Sequence, residues 1–414
     1  MRGGYMKLIA MLLACCFCLG NLGSDASGPG VLIRVGIREG RPSVAMVSTG
    51  GMNIYTGTSF LKSVDNNVVV RISNRGKDMY VDGDKVIAPV TFHARAYQGT
   101  IRLTDGYTYR GSMECLKTPG RDGLTVVNVV PVEYYLYGVV GKEMSPSWNL
   151  EALKAQAVAA RTYAITHKNY YRQRGFDVTD DTRSQMYGGM NGEAHSVIRA
   201  VDETNGEVLF YKGKLIDAIF CSTAGGWTEN SENVWGRAYG YLRGVPDFSR
   251  TMPEYRWHVK VTPEQMANVL QASGRTVGEV TGILLSPLQK RPMSVGDRGI
   301  SGRVRSLTIY GTDGKVTLSG NAFQSLFSLK SAVFDVYDGQ SSLPDPETNS
   351  VQREEFFTVD KGIPFVIYGF GWGHGLGMSQ YGAYHMALSH RGVKNYYRTI
   401  LAHYYTGTSL EQLY

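Results

Sequence analysis

Five cysteines in 414 residues are too few to staple a fold of this size, and three of them, Cys15, Cys16 and Cys18, crowd into one short stretch. The other two, Cys115 and Cys221, stand far apart. That excludes a structural zinc site built from cysteines and leaves either one disulfide or two buried thiols. The chain also lacks HExxH or any comparable ligand spacing, a GxSxG elbow and a GxxxxGK[ST] loop. Metalloprotease, α/β-hydrolase and P-loop chemistries are thereby set aside. No run of Lys or Arg and no nucleic-acid motif accompanies the net charge of +7. The charge is a long-range bias toward anionic partners such as wall polymers or acidic membranes, and it does not point to nucleic acid. Internal repeats and long low-complexity tracts are missing as well.

Composition is otherwise that of a folded protein, with 43% hydrophobic and 19% charged residues, and the length suits two or three packed units. Fifty glycines imply tight turns and close backbone approaches, and 27 tyrosines suit polar, stacking surfaces. Residues 1–26 read as an export signal or anchor: Arg2 and Lys7 precede an apolar run from Leu8 to Leu19, short for a membrane span. Leu12-Leu13-Ala14-Cys15 loosely matches a lipoprotein processing site, which makes Cys15 a candidate lipid anchor. Cleavage near residues 20–26, or retention as an anchor, are the alternatives.

Residues 31–110 are predicted to form a β-rich N-terminal unit, from VLIRVGI, NVVVRIS and TIRLTDG between turn-forming segments; GLTVVNVV is a further strand. Pro131 opens a helix with Val132, Leu136, Val139 and Val140 at helical spacing, and Glu143 stands at its end. Asn149 caps a second helix, predicted over residues 150–174, with Leu150, Leu153, Ala157, Ala160 and Ala164 on one stripe. Beyond residue 175 short strands and helices alternate: a helical AHSVIRAVDETNG, a strand pair in GEVLFYKGKLIDAIFCS, a hairpin around Thr312-Asp313-Gly314, a short helix in NAFQSLFSLKS and a loop in DGQSSLPDPETNSVQ. The fold class is α+β, a mixed β-rich scaffold with a few helices.

Four clusters carry candidate chemistry. Glu143 lies at the negative end of a helix beside Met144, Pro146 and Trp148, which favours a raised pKa and a general-acid role; Arg161 would oppose this if it touched the carboxylate. A solvated turn glutamate is the plainer reading. TRSQMYGG (Thr182–Gly189) offers hydroxyl, amide and phenol groups, and such loops are mostly turns. FCSTAGGWTENSENVWG joins Ser222, Thr223, Gly225 and Gly226 to Trp227 and Trp235, whose indoles can stack on sugars or simply form a core. In GFGWGHGLGMSQYGAYHMA glycines alternate around Trp372 and His374 ahead of Ser379 and Gln380, where a helix begins. Bare backbone beside a histidine suggests that something approaches it. Cys221 shows no neighbour that would activate a thiolate.

Together, VNVVPVEYYLYGVVGKEMSPSWNLEALKAQAVAARTYA, SQMYGG, CSTAGGWTENSENVWG, YLRGVPD and GWGHGLGMSQYGA resemble the stage II sporulation protein D (SpoIID/LytB) family, in order and spacing, from about residue 111 to 382. The resemblance implies a catalytic region over 111–414 whose helices frame a glycan-binding cleft. It also implies a lytic transglycosylase that cuts peptidoglycan between N-acetylmuramic acid and N-acetylglucosamine, leaving a 1,6-anhydro end. Glu143 falls on the family's acid/base, and Arg161 on a substrate or site-support position. Ser184, Gln185, Tyr187, Ser222, Thr223, Gly225, Gly226, His374, Ser379 and Gln380 fall on loops that would contact substrate. Some members hold a metal near the SQxYxG segment. This chain has no cysteine there, so no metal and no cofactor are expected. The implied partners are a glycan strand stripped of stem peptides and cell-wall machinery, including an amidase, at the cell wall or the outer face of the membrane, in sporulation or wall remodelling, with membrane contact only through the N-terminal segment. A non-catalytic wall-binding activator of an amidase, a role also found in this family, is the rival; lysozyme-like hydrolysis is a third reading.

Overall fold

The computed structural model describes residues 30–253, 255–338 and 354–414. The segment 1–26, including Cys15, and nearly all of the predicted loop DGQSSLPDPETNSVQ lie outside the described residues. Among the described residues there are eight helices: α1 (Val132–Glu143), α2 (Leu150–Thr166), α3 (His195–Asp202), α4 (Ser231–Trp235), α5 (Pro263–Ala272), α6 (Gly320–Leu326), α7 (Gln380–Ser389) and α8 (Tyr397–Tyr404). None of the described helices is long and apolar enough to cross a membrane.

A seven-stranded and a six-stranded sheet build the N-terminal part. Alternation in the strands turns Ile33, Val35, Val70, Ile72, Val126 and Val130 inward, and these residues share one core with α1, α2, α3, α7 and α8. The boundary predicted at residue 110 falls inside the larger sheet. Leu32–Arg41 pairs antiparallel with Leu124–Pro131, and Ser112–Lys117 pairs with Val90–Ala94. The N-terminal strands thus brace the strand that feeds α1.

A second core occupies residues 257–367, around Trp257, Leu270, Ile283, Ile309, Phe323, Phe334 and Ile367. A three-stranded sheet (Arg256–Val261, Phe365–Phe370, Phe334–Tyr337) and a four-stranded one enclose it. The predicted hairpin is part of the latter, with Gly311 paired to Gly314. Two short strands stand at the door of this lobe: Phe220–Cys221 runs parallel to Met378–Ser379. The lobe is inserted between two segments that meet beside α7.

Asn149 caps α2 as predicted, its Oδ1 accepting the Glu151 N–H at 2.9 Å. The helix stops at Thr166, eight residues short of the predicted end, because Asn169 adopts φ 70° and its N–H turns to Asp177 Oδ1 at 2.8 Å. Cys115 and Cys221 are separate buried thiols. Burial pushes each up to about 12, so neither is a thiolate nucleophile.

Candidate active site

Glu143 is the last residue of α1, and backbone packing fixes where that helix ends. Gly138 and Gly141, three residues apart, lie on the face that meets the turn of residues 189–192. A Cβ on Gly141 would overlap the Gly192 carbonyl, and one on Gly138 would lie 2.6 Å from the Tyr187 ring. The helix is therefore seated against this loop main chain to main chain.

The glutamate's two oxygens gather two of the sequence's polar clusters. Oε1 accepts the backbone N–H of Met186 at 2.8 Å, and Oε2 accepts Nε2 of Gln380 at 3.1 Å. No basic side chain forms an ion pair with it among the described residues. Burial raises its pKa above the usual carboxylate range, and the Met186 and Gln380 hydrogen bonds oppose the rise without cancelling it. The carboxyl is half-buried, so a ligand can reach it. Trp148, five residues on, stacks on Tyr384 at 4.5 Å and tilts against Tyr381 at 4.9 Å, joining the segment after α1 to α7.

Arg161 is not in this site. It has 0% exposure and grips Glu133 through two 2.7 Å hydrogen bonds, with further bonds to the carbonyls of Glu207 and Val201. The role in substrate binding that the resemblance implied is corrected to a clamp between α2, the start of α1 and the chain after α3. A fully desolvated guanidinium needs such a fork.

The loop Ser184–Tyr187 also differs from expectation. Gln185 and Tyr187 point inward: Gln185 Oε1 accepts Tyr135 OH at 3.1 Å, and Tyr187 OH donates to Asn128 Oδ1 at 2.7 Å. Ser184 Oγ accepts the Thr179 N–H at 3.1 Å. These side chains anchor the loop and are not free for substrate. With both its neighbours pinned, Met186 is turned outward, 38% exposed, with its N–H on Glu143. A backbone donor carries no residue-type signature, so no sequence pattern could have named it.

The other predicted contacts mostly build the frame. Thr223 is buried, bonded to Ser249 Oγ at 2.7 Å and bridged to Trp372 by two main-chain hydrogen bonds. Gly225 (φ 77°) and Gly226 (φ 101°) turn the chain; a Cβ on Gly225 would meet the Phe370 carbonyl, so the close approach is to the protein's own backbone. Ser222, half-buried, accepts the Tyr381 N–H at 3.0 Å through its carbonyl. His374 has both nitrogens occupied: Nδ1 accepts the Leu376 N–H at 3.0 Å, which leaves Nε2 to donate to the Phe220 carbonyl at 3.0 Å. Burial, aided by Arg303, pushes it down to about 4, so it is neutral at pH 7. Ser379 caps α7 through the Gly382 N–H at 3.2 Å. Of the predicted residues, the structure brings Glu143 and Gln380 together. No cluster of His, Cys, Asp or Glu among the described residues could hold a metal ion.

Removing the Gln380 amide should leave the Glu143 proton held more tightly. In Gln380→Ala, the upper limb of a rate–pH profile that needs protonated Glu143 moves to higher pH. A limb that stays in place would show that this hydrogen bond does not tune the acid.

The family model described as stage II sporulation protein matches residues 120–211, from the strand before α1 to the end of the strand Glu207–Tyr211 that follows α3, and a domain of unknown function matches residues 240–377, the inserted lobe. An uncharacterised protein of Brachyspira hyodysenteriae is 35% identical over 308 residues, 74% of this chain and 73% of its own. The amidase enhancer of Bacillus subtilis is 32% identical over 295 residues, 66% of this chain and 40% of that longer protein. Stage II sporulation protein D of Bacillus amyloliquefaciens is 30% identical over 305 residues, 69% of this chain and 76% of its own. The chain belongs to the stage II sporulation protein D family.

Proposed function

We propose that the protein is an exported peptidoglycan lytic transglycosylase, acting on glycan strands in sporulation or wall remodelling, with Glu143 as its general acid and base. Family membership supports the link to sporulation and the wall. The observation that carries the chemistry is a half-buried carboxyl with a raised pKa, bonded to one backbone N–H and one amide and, among the described residues, to no cation. Such a group holds a proton long enough to donate it, and its two hydrogen bonds receive the carboxylate that forms.

In the proposed reaction Glu143 gives its proton to the glycosidic oxygen as the C1–O bond of N-acetylmuramic acid breaks. The carboxylate then takes the proton of the same sugar's C6 hydroxyl, whose oxygen closes on C1. Acid and base are one residue, and no water enters. A second carboxylate, needed by inverting and retaining hydrolases, is not required. Ring closure within one bound sugar gains most from positioning, which a main-chain-seated helix end supplies.

The similarity to a protein named amidase enhancer favours a second reading, in which the chain binds the wall and stimulates an amidase. Digestion of strands stripped of stem peptides separates the two. The transglycosylase releases fragments ending in 1,6-anhydro-muramic acid, lighter by one water than hydrolytic products. Reducing-end products, or amidase stimulation with no anhydro fragment, would overturn the proposal.

A further inference from the structure

Two of the protein's tryptophans have exposed indoles, Trp235 at 47% and Trp372 at 46%. They flank one short segment. The Trp235 ring lies 5.3 Å from that of His374, and the Nζ of Lys330 lies 4.7 Å from the centre of the Trp372 ring. Gly373, between Trp372 and His374, donates its N–H to the Lys330 carbonyl at 2.9 Å. The three side chains come from the end of α4, the turn after α6 and the glycine-rich loop, and a main-chain bond ties the last two together. His374 fixes the loop from beneath through its bonds to Phe220 and Leu376.

The patch is tied to the Glu143 site through one strand. Tyr381, next to the Gln380 that holds Glu143, donates to the Ser222 carbonyl, and Thr223 is bridged to Trp372. The path from Tyr381 to Trp372 is two main-chain hydrogen bonds, of 3.0 and 2.9 Å, with the single step from Ser222 to Thr223 between them. A strand of several sugars can cover both points.

We propose that Trp235, Trp372 and Lys330 form a second glycan subsite, in which the indoles stack on sugar rings and Lys330 meets the free lactyl carboxylate of a muramic acid stripped of its peptide. This deepens the proposed transglycosylase function and rests on it. The inserted lobe, which supplies Lys330 and Trp372, would then hold the strand beyond the point of cleavage. Exposed area favours sugar over a protein partner. A tryptophan presents on the order of 150–250 Å², so two half-exposed indoles offer ~200 Å², against about 800 Å² per partner in a stable protein interface. The cation beside Trp372 suits an acidic polymer.

The test is binding, measured on full-length protein carrying Glu143→Gln so that strands stay intact. Ligands are amidase-treated glycan strands, a disaccharide cut from them, and a chitin oligosaccharide as long as the strands. Adding Trp235→Ala and Trp372→Ala should weaken long-strand binding by about tenfold or more and leave the disaccharide unchanged. Lys330→Met should weaken binding of the muramic acid strands and spare chitin, which has no carboxylate. Unchanged long-strand affinity, or equal losses on long and short ligands, would overturn the subsite. So would weakened amidase binding with strand affinity intact, which would assign the patch to a protein partner. A wild-type protein that yields no anhydro product would sink the reaction and not these affinities, so the two proposals fail separately.

Discussion

Exchanging Glu143 for Gln should cut the rate of glycan cleavage by about 10²–10⁴-fold, towards the upper end because one group is asked to act as both acid and base. The affinity for strands should survive, since Gln keeps the volume and an acceptor for the Met186 N–H. Stability supplies an independent check. Burial raises the folded-state pKa of Glu143 above its unfolded value. Its contribution to stability is therefore fully present below the unfolded pKa and is lost as pH rises through the folded one. Thermal melts of Glu143→Gln should accordingly exceed wild type at pH 8 and converge with it at low pH. A variant that cleaves at the wild-type rate would remove Glu143 from the chemistry. Melts that differ equally at both pH values would show that its charge is not disfavoured in the fold.

Arg161→Met should cost the fold about 3–5 kcal/mol, because it strands the Glu133 carboxylate that Arg161 holds by two bonds. Denaturant unfolding reads this loss directly. Adding Glu133→Gln should recover part of it, as a double-mutant cycle on a shared pair requires. Cleavage per folded molecule should stay within about twofold of wild type, since Arg161 touches neither Glu143 nor solvent. A collapse of activity with stability preserved would restore the substrate role that the sequence suggested.

Much of the frame was legible in the residues themselves. Alternation and β-branched runs exposed four strands of the N-terminal sheets, in VLIRVGI, NVVVRIS, TIRLTDG and GLTVVNVV, but not their partners such as Ser43–Ser48 and Ser112–Lys117; Asn149, Pro131 and the alanine stripe marked α1 and α2. The end of α2 was not legible, because it depends on Asp177 capturing the N–H of Asn169. Neither was the second core: its apolar positions are spread over short segments from Trp257 to Ile367, and long-range pairing alone gathers them. At the site, Glu143 and Gln380 could be named from their motifs. Their neighbours misled because inward and outward positions in an irregular loop follow no period: Gln185 and Tyr187 point in, Met186 points out. The glycines around His374 signalled close approach correctly; what approaches is the protein's own strand.

The seat of Glu143 has one more consequence. It closes α1, and Gln380, its partner, opens α7. Enclosed at that junction, the carboxyl keeps its proton until an acceptor comes alongside, and the two hydrogen bonds steady the anion once it has gone. In the proposed reaction a single residue can then serve twice in one turnover without changing its post.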